Sequence, residues 1–246
     1  MPARALRLYL VRHGQSEANL DNTVNARLPD HNVPLSAEGH KQAAAAGHVL
    51  ARTLGPDRRV RLFVSPYVRT RETSAGIEAA LGATGTRFDK REAIELRELE
   101  FGLFDGIPDG DLPRLFPREY EHYDKHRRFS GEFFAPMPLG ESRCNVADRV
   151  KAVFGTILRD AAADRPDPIT DFVIVSHGVT IRCFRLQWMH YGWEWYEQQR
   201  NPWNCSVQLI EGRPGGGYSD TLLFEGFRPS ETRQTRREEG VVSAAP

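Results

Sequence analysis

Apolar and polar positions follow two alternating patterns along the chain. One is a short apolar run, as in Leu8-Tyr9-Leu10-Val11, Val60-Arg61-Leu62-Phe63-Val64 and Phe172-Val173-Ile174-Val175. Such runs read as strands buried on both faces of a parallel sheet. The other pattern places apolar or small residues at three- and four-residue steps. It covers Ala43, Ala46, Gly47, Leu50 and Leu54; Val68, Ile77, Ala80 and Leu81; Val146, Val150, Val153, Phe154, Ile157, Leu158 and Ala161; and the stretch from Val179 to Tyr191. These spacings predict helices. Ser36 is the expected cap of the first, and Ser65 of the second, with Pro66 at its first helical position. Strands that alternate with helices predict an α/β fold, a three-layer α/β/α sandwich with a mainly parallel sheet.

The remaining segments are less regular. A further strand is expected within Thr86–Leu96, and alternation in Cys205-Val207-Leu209 and Leu222-Phe224 predicts strands around a turn at Gly212–Gly217. Asn19–Pro34 reads as a polar loop bordering the site, and Asp111–His126 as helical apart from Pro113 and Pro117. Phe129–Pro138 reads as an aromatic, proline-containing loop over the site. The expected organisation is one large domain over residues 1–227, with an insertion at 99–140. A disordered tail is expected at 228–246, where charged and small residues offer little to bury.

Two of the apolar runs stop in the same way, on Arg12-His13-Gly14 and on Ser176-His177-Gly178. The carboxyl ends of parallel strands share one edge, where open α/β sheets bind ligands, so the two histidines are expected to converge there. Gly14 lets the backbone turn close to a ligand, Asn19 adds an amide a few residues on, and Arg69 falls in the first turn of a helix starting at the same edge.

Composition narrows the chemistry. The 246 residues carry 33 Lys plus Arg against 33 Asp plus Glu, so no global field draws the protein to nucleic acid or to an anionic membrane. Cys144, Cys183 and Cys205 have neither metal-ligand nor disulfide-framework spacing, which points to a reducing, cytoplasmic setting. No apolar run approaches a membrane span. His122 and His126 stand four apart, but Tyr123 occupies the position where a zinc protease has its glutamate, and both histidines read as solvated surface. Trp188, Trp193, Trp195 and Trp203 lie beside no basic stripe and read as packing. The partner expected is a small phosphorylated molecule, and no signal of oligomeric state is evident.

Phosphoryl transfer through a covalent phosphohistidine suits these residues, because a neutral imidazole is a nucleophile at pH 7 without a separate base. His13 is the expected nucleophile. Arg12 and Arg69 would keep it unprotonated and pair with phosphoryl oxygens, and Asn19, His177 and the Gly178 backbone complete a clamp that needs no metal or other cofactor. Taken together, Arg12-His13-Gly14 with Asn19, Ser65-Pro66-Tyr67-Val68-Arg69, Glu98 four residues before Gly102, and Ser176-His177-Gly178 resemble the histidine phosphatase superfamily, also called phosphoglycerate mutase-like. Pro138-Leu139-Gly140-Glu141-Ser142, the Asp148-Arg149 pair and the paired Phe133-Phe134 are similar to one group within it.

The resemblance implies six strands with one antiparallel edge strand, and assigns the general acid to Glu98, with neighbouring Glu100 the alternative. It leaves two enzymes open, a phosphomonoester hydrolase and a phosphoglycerate mutase. Against the mutase, Val24–Asp30 stands where that family carries a Gly-Trp substrate loop, and its insertion arginines and tyrosine are not evident. A catalytically silent phospho-ligand binder is a third reading, opposed by intact His13 and Glu98. Phe129, Phe133, Phe134 and Met137 are expected to wall the leaving-group side.

Overall fold

The structure, a computed structural model, describes residues 5–162 and 168–228. The first half contains β1 (Leu6–Arg12), α1 (Glu17–Leu20), α2 (Ala37–Leu54), β2 (Arg59–Val64), α3 (Val68–Ala83) and β3 (Arg87–Glu92). After them come α4 (Leu112–Leu115), α5 (Pro117–Ser130), α6 (Arg143–Asp160), β4 (Asp171–Ser176), α7 (Gly178–Trp188), α8 (Trp193–Gln198), β5 (Val207–Arg213) and β6 (Gly217–Phe224). The six strands form one sheet in the order β3-β2-β4-β1-β5-β6. The first four are parallel, and β5 runs antiparallel to both β1 and β6, so the antiparallel pairing lies at one edge.

Side chains of a strand point alternately to the two faces, and here both faces are covered. Leu6, Leu8 and Leu10 of β1, with Phe172 and Ile174 of β4, join the core under α6 and α7. Tyr9, Val11, Val173 and Val175 join the opposite core, with Val60, Leu62 and Val64 of β2 and the buried faces of α2 and α3. Each fully buried aliphatic side chain contributes about 1.5–3 kcal/mol, which is why the runs contain little else. Arg61 is the exception. Its buried guanidinium meets Asp160 of α6 at 3.3 Å and Asp89 of β3 at 2.7 Å. Helices α2 and α3 cross closely because Gly47 faces Ala80, where an added Cβ would lie 2.9 Å from the alanine methyl.

Several expectations need correction. Ser65 does not cap a helix: α3 begins at Val68 with Tyr67 as its N-cap residue, because Ser65 continues the sheet and donates its N–H to Val175. Pro113 and Pro117 open α4 and α5 rather than interrupting a helix, since a proline in the first turn has no N–H to leave unpaired. Helix α5 extends through Phe129, and α7 ends at Trp188, before the separate helix α8. The strand expected within Thr86–Leu96 is present, at Arg87–Glu92, whereas the Asn19–Pro34 loop contains helical turns at Asn22–Ala26 and Asp30–Asn32. Leu158, assigned to the buried stripe of α6, is exposed, whereas Val146, Val150, Val153 and Ile157 are buried. The expected tail, past Arg228, lies outside the described residues.

Candidate active site

Strand register builds the floor of the site. In the parallel ladders Arg12 lies opposite Ser176 and Val64 opposite Val175. The next residues, His13 and Ser65, continue those ladders by donating their N–H groups to Ser176 and Val175. His13, Ser65 and His177 therefore stand side by side, each one residue beyond a strand. Gly14 leaves room for this turn: its N–H donates to Thr73 Oγ1, and a Cβ would come within 2.6 Å of the Gly39 carbonyl oxygen.

The imidazoles of His13 and His177 are buried, with ring centroids 5.3 Å apart. His13 Nδ1 lies 2.7 Å from the Gly14 carbonyl oxygen, an arrangement that requires Nδ1 to donate and leaves the lone pair on Nε2. Burial, then the charges of Arg69 and Arg12, hold the His13 pKa well below its ordinary value, against the hydrogen bond to Gly14. His177 is held low by burial, then by Arg69, His13 and Arg12. Its Nε2 lies 2.8 Å from Ser65 Oγ, while its buried Nδ1 has no protein partner. That nitrogen is left to bond a group the protein does not itself supply.

The cations come from two elements. Arg12 ends β1 and donates to the Pro202 carbonyl at 2.6 Å. Arg69, in the first turn of α3, is 4 % exposed and stacks its guanidinium over Tyr67, 5.0 Å from the ring centroid. Its two terminal nitrogens meet Asp30, one on the backbone carbonyl and one on the carboxylate at 2.9 Å. Asn19 Oδ1 accepts from the Ser16 N–H at 3.1 Å and from Asn204 Nδ2, which also donates to the His13 carbonyl. Gly178 opens α7 against Asn201, where a Cβ would lie 2.9 Å from the amide carbon.

The carboxylates separate clearly. Glu100 is exposed and paired with Arg97 at 3.0 Å. Glu98 is recessed: burial raises its pKa, and the charges of Arg69 and Arg12 reach it and oppose the rise. The segment that carries it is tied down at four consecutive carbonyls. Arg149 donates to Glu95 and Glu98, Ser176 Oγ to Leu96, and Thr180 Oγ1 to Arg97. Arg149 is itself gripped by both oxygens of Glu141, at 2.9 and 3.0 Å. The motif around Glu141 thus serves as the frame of Glu98. Gly102 and Gly140 allow the close approach this needs, since a Cβ would fall 2.1 Å from Pro138 O and 2.3 Å from Glu100 O respectively.

The expected aromatic wall is not built as one surface. Phe133 and Met137 are buried in the core, Phe133 against Tyr196, and Phe129 is 91 % exposed on α5. Phe134 packs edge-on against Trp193. Ser65, Asn204 and Asp30 are among the site residues that sequence reasoning missed. Ser65 was accessible by the rule that found the histidines, as it too follows a buried strand, whereas Asn204 carries no local signal. Among the described residues, no group of three or more His, Cys, Asp and Glu side chains could hold a metal, and no helix is long and apolar enough to cross a membrane.

Two buried imidazoles, two guanidinium groups and one recessed carboxyl gathered at the edge of a parallel sheet are a set of groups suited to handling a phosphoryl group. The chain belongs to the histidine phosphatase superfamily (branch 1), whose sequence profile matches residues 8–223. It is 36% identical over 228 residues to the phosphoglycerate mutase-like protein AT74 of Arabidopsis thaliana, covering 87% of this chain and 67% of the relative. It is 26% identical to the broad-range acid phosphatase DET1 of Saccharomyces cerevisiae, over 85% of this chain and 86% of that protein. Among solved structures, mycobacterial glucosyl-3-phosphoglycerate phosphatase shares the fold, with a TM-score of 0.68 and 22% identity over 91% of this chain and 100% of that one.

Proposed function

We propose that the protein hydrolyses small phosphomonoesters through a covalent phosphohistidine on His13, without a metal. The observation that carries this reading is the pinned tautomer: Nδ1 is committed to the Gly14 carbonyl 2.7 Å away, so the lone pair of a neutral ring sits on Nε2. Nε2 attacks phosphorus, the bond to the ester oxygen breaks, and Glu98 gives its proton to the leaving alkoxide. Water then attacks the phosphohistidine, Glu98 takes up its proton, and the N–P bond breaks to release phosphate. Arg12 and Arg69 stabilise the equatorial oxygens throughout. With Ser65 donating to His177 Nε2, the proton of His177 sits on Nδ1, the atom left without a protein partner, and is offered to a phosphoryl oxygen. Asn19 steadies the His13 loop through Asn204, and Gly178 lets His177 sit at the start of α7.

The mutase-like relatives favour one second reading, isomerase chemistry on phosphoglycerates. Rapid quench with an aryl phosphate should trap an acid-labile phosphoenzyme. A panel of phosphomonoesters that includes both phosphoglycerates, assayed with and without chelator, should release inorganic phosphate equally in both conditions. Isomer exchange without release would establish the mutase instead. The cysteines, all free thiols, agree with a reducing cytoplasm as the compartment.

A further inference from the structure

The segment Val24–Asp30 ends on a carboxylate that reaches Arg69 of the phosphoryl clamp. Asp30 opens the helical turn Asp30–Asn32, and its side chain, 19% exposed, lies 2.9 Å from Arg69 Nη2. Its backbone carbonyl takes the other terminal nitrogen of the same guanidinium. The place of a phosphoryl group is marked independently, by the buried His177 Nδ1 that has no protein partner and by the imidazole of His13, whose ring centroid lies 5.3 Å from that of His177. A negative charge is thus fixed at the mouth of a site meant for an anion.

The charge balance then limits what else can enter. Arg12 and Arg69 are the cations whose charge reaches both His13 and Glu98, and one of them is already shared with Asp30. Arg97 and Arg149 are committed to Glu141, Arg97 also to Glu100 and Arg149 to backbone carbonyls. His13 and His177 are neutral. A phosphoryl dianion draws on both guanidinium charges, and a further carboxylate on the leaving group would meet the Asp30 charge that already shares Arg69.

We propose that Asp30 is a specificity-determining residue, which admits phosphomonoesters with neutral or cationic leaving groups and repels those whose leaving group carries a carboxylate. The proposal rests on the phosphatase reading and deepens it.

The experiment compares kcat/KM for phosphocholine, glycerol 1-phosphate and 3-phosphoglycerate in the parent and in Asp30→Asn, with melts to check folding. The parent should disfavour 3-phosphoglycerate by about tenfold or more against glycerol phosphate, the size expected for one like charge at close range. Asp30→Asn should shrink that ratio by about the same factor. Ionic strength gives a reading that needs no variant. Salt weakens the shared phosphoryl attraction for every ester, so the ratio isolates the extra carboxylate, and added salt should move it towards 3-phosphoglycerate. A ratio unmoved by both the substitution and salt, with phosphate still released from glycerol phosphate, overturns the specificity proposal and leaves the hydrolase standing. No phosphate release from any of the three esters overturns the hydrolase reading and this proposal with it.

Discussion

Replacing Arg149 by methionine should damage the enzyme in two separable ways. The guanidinium, 12% exposed, spans the Glu141 carboxylate and the carbonyls of Glu95 and Glu98. Breaking a buried ion pair from one side costs about 3–5 kcal/mol. Glu141 would retain Arg97 at 2.7 Å and the Glu100 N–H at 3.2 Å, so the lower end, about 3 kcal/mol, is the reasoned figure. For a chain of this size that corresponds to a fall of about 6–12 °C in Tm. Two of the four ties on residues 95–98 disappear as well, including the one on the carbonyl of Glu98 itself.

The second effect is on aim. A displacement of about 1 Å at a positioned group can cost about a hundredfold in rate. In the proposed mechanism Glu98 matters most when the leaving group is a poor one, so kcat/KM for an alkyl phosphate should fall by about a hundredfold, and for a nitrophenyl phosphate by about tenfold or less. Melting curves and the two rate constants can be measured on the same preparation. Combining Glu141→Gln with Arg149→Met should be less destabilising than the sum of the single changes, because the stranded carboxylate charge is removed too. An Arg149→Met protein that melts with the parent would refute the network's energetic role. One that melts low but loses equal activity on both esters would refute the claim that Arg149 aims Glu98.

His13→Ala should fold normally and lose turnover together with the acid-labile phosphoenzyme; an active variant, or an acid-stable phosphoester in the parent, ends the covalent histidine mechanism. Glu98→Gln should reduce alkyl phosphate turnover far more than aryl phosphate turnover, and a leaving-group-dependent loss in Glu100→Gln instead would transfer the role. As the proposed acid, Glu98 would act only while protonated, and burial raises its pKa, so kcat/KM for an alkyl ester should hold through mildly acidic pH and fall as pH rises through that raised value. His13 is held well below its ordinary value of 6.5 and adds no rising limb there, and Glu98→Gln should abolish the alkaline fall. Ser65→Ala frees His177 Nε2 to hold the proton, which should lower kcat/KM for aryl phosphate about tenfold, with Ser65→Thr restoring part of it; equal activity of the alanine variant would show that the 2.8 Å contact does not set the tautomer.

Much of the site could be read along the chain because it lies at strand ends. His13 and His177 follow unbroken apolar runs, and the ladder that pairs Arg12 with Ser176 brings them level. Ser65 obeys the same rule, yet Ser-Pro is also the local signature of a helix start, and that local pattern masked the sheet position. Phe133 was misassigned for the opposite reason: an aromatic in a proline-containing segment carries no mark of whether it faces substrate or core, and here it meets Tyr196. The frame of Glu98 was beyond any local pattern. Its hydrogen bonds join residues 51, 54, 80 and 83 positions apart, and only the folded chain brings their partners together. Asp30 is a similar case, since a carboxylate in a polar loop is ordinary until the fold sets it on Arg69, 39 positions away.

The two halves of the site are therefore secured by different physics. The imidazole half is set by backbone register: shifting β2 or β4 by one residue would turn every side chain of that strand to the other face, exchanging the Leu62-Val64 or Val173-Val175 core with its neighbours. Such a slip is opposed by the whole buried sheet, so His13, His177 and Ser65 are positioned by interactions that contribute to folding in any case. The segment that carries Glu98 is not itself a strand and relies on side-chain ties to four carbonyls, one of them from Ser176 at the end of β4. Substitutions in the strands should consequently appear first as lost stability. Substitutions among Glu141, Arg149, Ser176 and Thr180 should also appear as lost discrimination between leaving groups, because in the proposed mechanism what loosens is the direction of one proton.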